Sequence, residues 1–240
     1  MNLTHGSLLR REFELRIFVS LAIVGSVYGL SVLAFPGTLS LLVTCAAGAG
    51  IPADAARRAG FILLAACMAV ISLLRMWAGT ELSARRVMAF RVQTDRLETS
   101  GPYLLVRNPI YLADFLAICA FALCLPPAGL AMPALFYLHY RRLISFEERS
   151  LGAGFQNRYD AYRAAVPRLL PNSSSFAAFS RAMAGFRLSR EGIRHNALYV
   201  LFIPGFLAAA WENDFLPAVL IGIPGVLDWA VIHTRIGVHP

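Results

Sequence analysis

Six long apolar runs divide the chain, and they restrict its fold more than any other feature. Most of them approach the roughly 20 residues that an α-helix needs to cross the hydrocarbon core of a bilayer. Backbone groups inside a bilayer must satisfy their own hydrogen bonds, so such runs form helices. The sequence therefore predicts an all-α, polytopic transmembrane protein with about six spans. The runs lie near residues 15–35, 59–79, 109–125, 127–145, 196–211 and 214–235.

The composition agrees with a membrane protein. Hydrophobic residues make up 58% of the 240 residues and charged residues 15%, with a mean hydropathy of +0.60, which is too apolar for a soluble domain. A net charge of +8 is also typical of proteins that bind nucleic acid, but the arginines flank the apolar runs. We therefore expect a membrane and no nucleic acid. The four cysteines lie in apolar stretches without metal-type spacing, so we expect neither a disulfide framework nor a metal site.

The arginines also predict how the chain is oriented, because short loops rich in Lys and Arg remain in the cytoplasm. This rule places the N-terminus and the segments 80–108 and 146–195 on the cytoplasmic side, and the turn at 212–214 outside. Six crossings then leave both termini in the cytoplasm, as in a bacterial inner-membrane protein. The short apolar stretch 38–50 is expected to be a half-helix or interfacial segment on the outer side.

The run "GPYLLVRNPIYL", residues 101–112, places polar and helix-breaking residues where the third span begins. Pro109 suits the first turn of a helix and Asn108 suits its N-cap. The unpaired N–H groups and the positive end of the helix dipole then face the Gly101-Pro102-Tyr103 turn, an arrangement suited to a carboxylate or another electron-rich group. Capping alone does not require the three polar residues beside this start, Arg107, Tyr111 and Asp114.

A second polar cluster, Glu147 and Glu148, follows the fourth span directly. Pro126-Pro127 predicts a tight turn between the third and fourth helices, so the two helices run antiparallel and both clusters reach the cytoplasmic level. The simpler alternative is a solvated helix with arginine partners. Nearer the second helix, Arg75 is expected either to extend to the membrane surface or to pair with Asp114.

Four linked motifs resemble one enzyme family. The runs "LLRMWAGTEL" (73–82), "LETSGPYLLVRNPIYLADFL" (97–116) and "EERSLGAGFQNRYDAYRAAVPRLLP" (147–171) are similar, in order and spacing, to the isoprenylcysteine carboxyl methyltransferases and their phospholipid methyltransferase relatives. The family pattern is approximately R-x-W-A, G-P-Y-x-x-x-R-H-P-x-Y, E-E-x-x-L-x-x-x-F and Y-x-x-Y-x-x-x-V-P. Asn108 replaces the histidine of the isoprenylcysteine branch, and Ala165 stands where a basic residue is common.

This resemblance implies an integral-membrane methyltransferase that uses S-adenosylmethionine, bound at the cytoplasmic face. The expected cofactor-binding residues are Gly101, Pro102, Tyr103, Asn108, Pro109, Tyr111, Glu147 and Glu148. The candidates for catalysis are Arg107, Asp114, Glu148 and Arg168, the last replacing the basic residue absent at position 165. We divide the chain into an N-terminal helix with an outer excursion (1–58), a methyltransferase core (59–171), and a cytoplasmic segment with a C-terminal helical hairpin (172–240).

The acceptor is expected to be an amphiphile that enters sideways from the bilayer, and no protein partner is inferred. A carboxylate or related oxygen acceptor ranks slightly ahead, because the motifs are closer to the isoprenylcysteine branch. A phosphatidylethanolamine-type amine is the alternative, and it needs a base to remove its proton, for which Asp114 or Glu148 are candidates. An NADPH-dependent reductase resembling the membrane sterol reductases and a non-enzymatic scaffold are less favoured.

Overall fold

A computed structural model describes residues 11–34, 40–82 and 96–238. These residues form helices and connecting turns without any strand, so the all-α prediction is confirmed. The helices are α1 (Arg16–Ala34), α2 (Leu41–Gly48), α3 (Ala53–Leu82), α4 (Pro109–Leu123), α5 (Ala131–Phe155), α6 (Asn157–Ala165), α7 (Ser173–Ala182), α8 (Arg190–Asn196), α9 (Phe202–Glu212) and α10 (Leu216–Val238).

Within the described ranges, α3 alone has both the length and the hydropathy of a membrane-crossing helix. Shorter apolar helical stretches cover Arg16–Ser31, Pro109–Leu123 and Leu216–Ile232. The 11 residues of α9 rise only about 16 Å, roughly half of the hydrocarbon core. The arrangement of six spans therefore remains a prediction. Residues 83–95 of the predicted cytoplasmic loop lie outside the described residues.

Helix α3 lies at the centre of one hydrophobic core and packs against α4, α8 and α9. Met68 of α3 and Phe206 of α9 are completely buried there. Ala113 and Ala117 of α4 are also completely buried, and their small side chains allow close helix packing. A second core joins α1, α4 and α5 around residues such as Phe136.

The turn between α4 and α5 brings the two polar clusters to one end of the molecule. Pro126, with a φ of −52°, precedes a 3₁₀ turn (Pro127–Leu130) that leads into α5. Prolines suit this position because they lack the amide N–H that would continue α4. The two helices pack side by side and antiparallel. The start of α4 consequently faces the part of α5 that carries Glu147 and Glu148.

The chain after α5 turns back onto the start of α4. Gln156 has a φ of +46° and separates α5 from α6. The hydroxyl of Tyr162 in α6 donates to the carbonyl of Tyr103 at 2.7 Å, and the amide of Arg107 donates to the carbonyl of Pro167 at 2.9 Å. These bonds attach the "YRAAVPR" segment beside the third predicted span.

Candidate functional site

A cavity of about 630 Å³ lies among α1, α3, α4, α5 and α10, and its wall is mostly apolar. It extends from the start of α4 to the aromatic side chains of the C-terminal helices. The sequence-predicted site residues that line it are Tyr103, Arg107, Asn108, Pro109, Tyr111, Asp114 and Glu147. The structure thus brings most of the predicted site residues to a single cavity.

The start of α4 forms one end of this cavity. Asn108 occupies the N-cap position as expected, but its side chain accepts no hydrogen bond from the first turn. It donates instead to Oε1 of Glu148 at 3.3 Å and to the carbonyl of Arg168 at 3.0 Å. The expectation of a side-chain cap is therefore wrong, because Asn108 links α4 to the returning segment. Pro109 follows at the first helical position and has no N–H to satisfy.

Of the two adjacent glutamates, Glu147 and Glu148, Glu147 is the one that faces the cavity. The hydroxyl of Tyr111 donates to its Oε1 at 2.6 Å. The Tyr111 ring in turn packs edge-on against Tyr140, with ring centroids 5.1 Å apart. Both aromatic side chains line the same cavity. Glu147 is thus held in place while remaining part of the cavity wall.

Glu148, one residue further along α5, is held by basic side chains. Its Oε1 accepts from Nε of Arg107 at 3.0 Å, and its Oε2 lies 3.1 Å from Nε of Arg168. Arg107 also donates to the carbonyls of Arg163 (2.9 Å) and Val166 (2.6 Å). Arg168 and Glu148 line a smaller polar cleft of about 420 Å³ instead of the main cavity. The structure does not bring these two predicted catalytic residues to the main cavity.

The Gly101-Pro102-Tyr103 turn is a short 3₁₀ helix beside α3. Gly101 has a φ of +54°, and a Cβ atom there would lie 3.1 Å from the indole of Trp77. Tyr103 lines the cavity, and burial together with the neighbouring Tyr162 raises the pKa of its phenol well above the usual value. The phenol therefore remains protonated at physiological pH. Gly101 and Pro102 shape the turn, whereas Tyr103 contributes to the cavity wall.

Asp114 lies further along α4, within the cavity, and pairs with Arg75 of α3. The hydroxyl of Tyr199 donates to the same carboxylate oxygen, Oδ1, at 2.9 Å. Arg75 is only 1% exposed and is covered by the rings of Tyr199 and Trp229. The alternative in which Arg75 extends to the membrane surface is therefore wrong, because its charge is satisfied inside the helix bundle.

Several polar residues of the cavity wall received no role in the sequence analysis: Glu98, Tyr140, Tyr159, Tyr162 and Tyr199. Glu98 is buried and pairs with Arg96 at 3.0 Å. It precedes the Gly101 turn in a segment without helical periodicity, so its inward position has no sequence signal. Tyr159 and Tyr162 do have one, since both are the tyrosines of the Y-x-x-Y motif.

The comparisons with known proteins give one match. Residues 58–158, somewhat under half of the chain, match the family model described as phospholipid methyltransferase. No curated protein and no solved structure matches the chain. The matched residues contain three of the four motifs in full or in part, including the Gly101 turn, the start of α4 and the Glu147-Glu148 pair. Residues 58–158 are therefore similar to the phospholipid methyltransferase family, which confirms the resemblance drawn from the sequence.

Proposed function

We propose that this protein is an integral-membrane methyltransferase that uses S-adenosylmethionine and acts on a lipid-soluble acceptor. The observation that carries the proposal is the cavity, which combines a helix N-terminus and the half-buried carboxylate of Glu147 at one end with an apolar wall along the rest. A polar cofactor and an apolar acceptor need these two surfaces side by side. The family match supports methyl transfer as the reaction.

The residues at the α4 end fit the implied cofactor. N–H groups at the start of α4 suit its carboxylate, and Glu147 suits its amino group or ribose hydroxyls. Tyr103 and Tyr159 add aromatic walls to this end. When bound, S-adenosylmethionine supplies an electrophilic methyl group, which bonds to the acceptor's lone pair as its C–S bond breaks, and the acceptor's proton passes to a base.

Glu148 and Arg107 hold the start of α4 in place at this end of the cavity. Arg107 ties Glu148 to the carbonyls that follow α6, and Asn108 bonds to the same carboxylate oxygen. A helix start held from both sides keeps its N–H groups in one orientation, which favours catalysis through positioning. We therefore assign Glu147 to the cofactor, and Glu148 to the support of the α4 start.

The charges in the cavity favour an amine acceptor over a carboxylate. Of the four arginines that line it, Arg75, Arg96 and Arg107 each pair with a carboxylate of this chain, and Arg16 donates to the carbonyl of Phe13. A carboxylate acceptor requires an available cation for orientation. Asp114, whose side chain is 16% exposed, pairs with Arg75 through one oxygen, Oδ1, and its second oxygen can accept a hydrogen bond from an ammonium group and receive its proton. We therefore propose the phospholipid-type amine as the acceptor and keep the oxygen acceptor, which the motifs ranked first, as the alternative.

A transfer assay tests the proposal. Purified protein is incubated with methyl-labelled S-adenosylmethionine and a total membrane lipid extract, and we expect base-stable label in the phospholipid fraction. Base-labile label would indicate an ester and restore the oxygen acceptor. Absence of transfer, together with binding of NADPH and none of S-adenosylmethionine, would indicate the reductase. Absence of binding for both cofactors would favour a scaffold.

The cofactor assignment predicts different effects for the two adjacent glutamates. Glu147→Gln should weaken S-adenosylmethionine binding by about 10- to 150-fold, because a charge-assisted hydrogen bond contributes about 1.5–3 kcal/mol. Glu148→Gln should weaken it less, since the amide oxygen still accepts from Arg107. Calorimetry on both purified variants measures the difference. Equal affinity for wild type and Glu147→Gln would contradict the assignment.

A further inference from the structure

The buried polar centre of the cavity includes a residue from outside the matched family segment. Tyr199 lies in the turn between α8 and α9, 41 residues beyond the last matched position, 158. Its hydroxyl donates to Asp114 at 2.9 Å, and its ring centroid lies 5.9 Å from the Arg75 guanidinium. The C-terminal segment therefore contacts two charged residues of the matched domain directly.

The rest of the C-terminal segment encloses the same part of the cavity. Phe202, Val226 and Trp229 line it, and the Trp229 ring lies 5.7 Å from the Arg75 guanidinium. Helix α9 packs against α3, with Phe206 completely buried. At Gly205, a Cβ atom would lie 3.1 Å from the backbone of Ala218, so α9 and α10 approach closely. The wall around Asp114 is thus a packed structure built by these helices.

Arg75 and Asp114 each retain unused hydrogen-bonding capacity. Both described hydrogen bonds of Asp114 reach one oxygen, Oδ1. The buried Nε of Arg75 has no hydrogen-bond acceptor among the described residues. An unsatisfied buried donor is unfavourable unless another group supplies the acceptor. A polar headgroup that presents a proton would satisfy the second oxygen of Asp114.

We infer that the C-terminal segment completes the acceptor site, and that Tyr199 is a positioning residue that holds Asp114 toward the acceptor's polar headgroup. The inference rests on the proposed function, since it assigns a role in the same reaction. Asp114 receives two bonds on one oxygen, from Arg75 and from Tyr199, which fixes its plane and leaves the second oxygen for the acceptor. The cofactor end, around Glu147, does not depend on Tyr199.

The test combines Tyr199→Phe with Asp114→Asn and the double variant. Initial transfer rates are measured against increasing amounts of a total membrane lipid extract, and S-adenosylmethionine affinity by calorimetry. Tyr199→Phe should lower kcat/KM for the extract by about tenfold or more, the effect of losing a hydrogen bond to a charged group. Its affinity for S-adenosylmethionine should stay at the wild-type value, and its unfolding midpoint should fall only by the small amount expected for one lost hydrogen bond. Adding Tyr199→Phe to Asp114→Asn should cause little further loss, because Tyr199 acts through Asp114.

Tyr137→Phe is the matched control, since Tyr137 is 45% exposed on α5 and should leave every measured value unchanged. Wild-type kcat/KM in Tyr199→Phe would overturn the inference. Parallel losses of cofactor affinity, turnover and thermal stability would also overturn it, since they indicate a purely structural residue. Fully additive effects in the double variant would show that Tyr199 does not act through Asp114. Failure of the proposed function is distinct, because the wild-type protein would then neither bind S-adenosylmethionine nor transfer methyl groups.

Discussion

Glu147 and Glu148 are adjacent in sequence but have different surroundings. Successive residues of a helix point about 100° apart, so one carboxylate reaches the main cavity while the other reaches Arg107 and Arg168. The sequence motif indicates both glutamates equally. Which of them faces the cavity depends on the rotation of α5 about its axis, and this rotation is set by packing against α1 and α4.

The buried tyrosine Tyr162 should make stability depend on pH at the alkaline end. Burial raises the pKa of its phenol above the usual value of 10, and the nearby Arg107 only partly offsets this effect. The folded state therefore keeps a proton that the unfolded state releases above about pH 10. Stability from this group is complete below about pH 10 and is lost as the pH rises toward the higher pKa of the folded state.

In Tyr162→Phe, the free energy of unfolding should fall less steeply with pH than in wild type, by up to about 1.4 kcal/mol per pH unit between about pH 10 and pH 11. Denaturant unfolding in detergent at several pH values measures the slope. At neutral pH the variant should be less stable, because it lacks the hydrogen bond to the Tyr103 carbonyl. Tyr137→Phe serves as the control. An alkaline slope equal to that of wild type would contradict the prediction.

Sequence motifs predicted the contacts of the site that follow from chain topology. Residues 108 and 111 meet residues 147 and 148 because a single tight turn reverses two adjacent helices. The contact between Asp114 and Tyr199 spans 85 residues and has no motif at its C-terminal end. Such a pairing depends on how α9 packs against α3, which sequence periodicity does not specify.

At the level of the helices, neighbouring segments hold the start of α4 in place. Its start is fixed from one side by α5 and from the other by the segment after α6, which bonds to Arg107 through both main chain and side chain. These bonds explain the role of the V-P motif at Val166-Pro167. Its carbonyl groups accept from Arg107, and proline ends α6 so that they can face α4.

Arg107→Met should reduce the protection of residues 163–168 against amide hydrogen exchange. Loss of the guanidinium removes the donors to Arg163, Val166 and Glu148, each a charge-assisted bond. Amide hydrogen exchange across residues 163–168 should accelerate by about tenfold or more, since one such bond contributes about 1.5–3 kcal/mol. Mass spectrometry of exchanged peptides measures the change. Arg149→Met is the control, because exposed Arg149 bonds, among the described residues, only to the carbonyl of Ser145 in its own helix. Unchanged protection at 163–168 would mean that the segment is held by other contacts.

At the scale of the whole molecule, side-chain contacts join loops to the two opposite ends of α3. Asn213, between α9 and α10, donates to Asp54 at the start of α3 at 2.9 Å. Arg187 reaches Glu81 at the other end of α3 at 3.1 Å. This grouping agrees with the sidedness that arginine distribution predicts. Apolar length alone predicted six spans, but the described helices differ widely in length, because turns take up part of several apolar runs, such as the one that ends in α9.

The orientation prediction is that residues 80–108 and 146–195 face the cytoplasm and that the 212–214 turn lies outside. Single cysteines at Ser100 and Asn213 are placed in a background without the four native cysteines, one of which, Cys45, is exposed. An impermeant thiol reagent added to intact cells should modify the probe at 213 and spare the probe at 100. The reverse pattern would invert the topology, and lysed cells control for the reactivity of both probes.

The cavity wall is contributed by α1, with Tyr28 among its lining residues, and by α10, with Trp229. About 200 residues of synthesis separate these two parts, so the cavity is open on one side until α10 has been made. During this interval the Arg75–Asp114 pair lacks the rings that later cover it and must be hydrated or shielded by lipid headgroups. Assembly of the site is therefore a late event in biogenesis, completed only when the final helix docks.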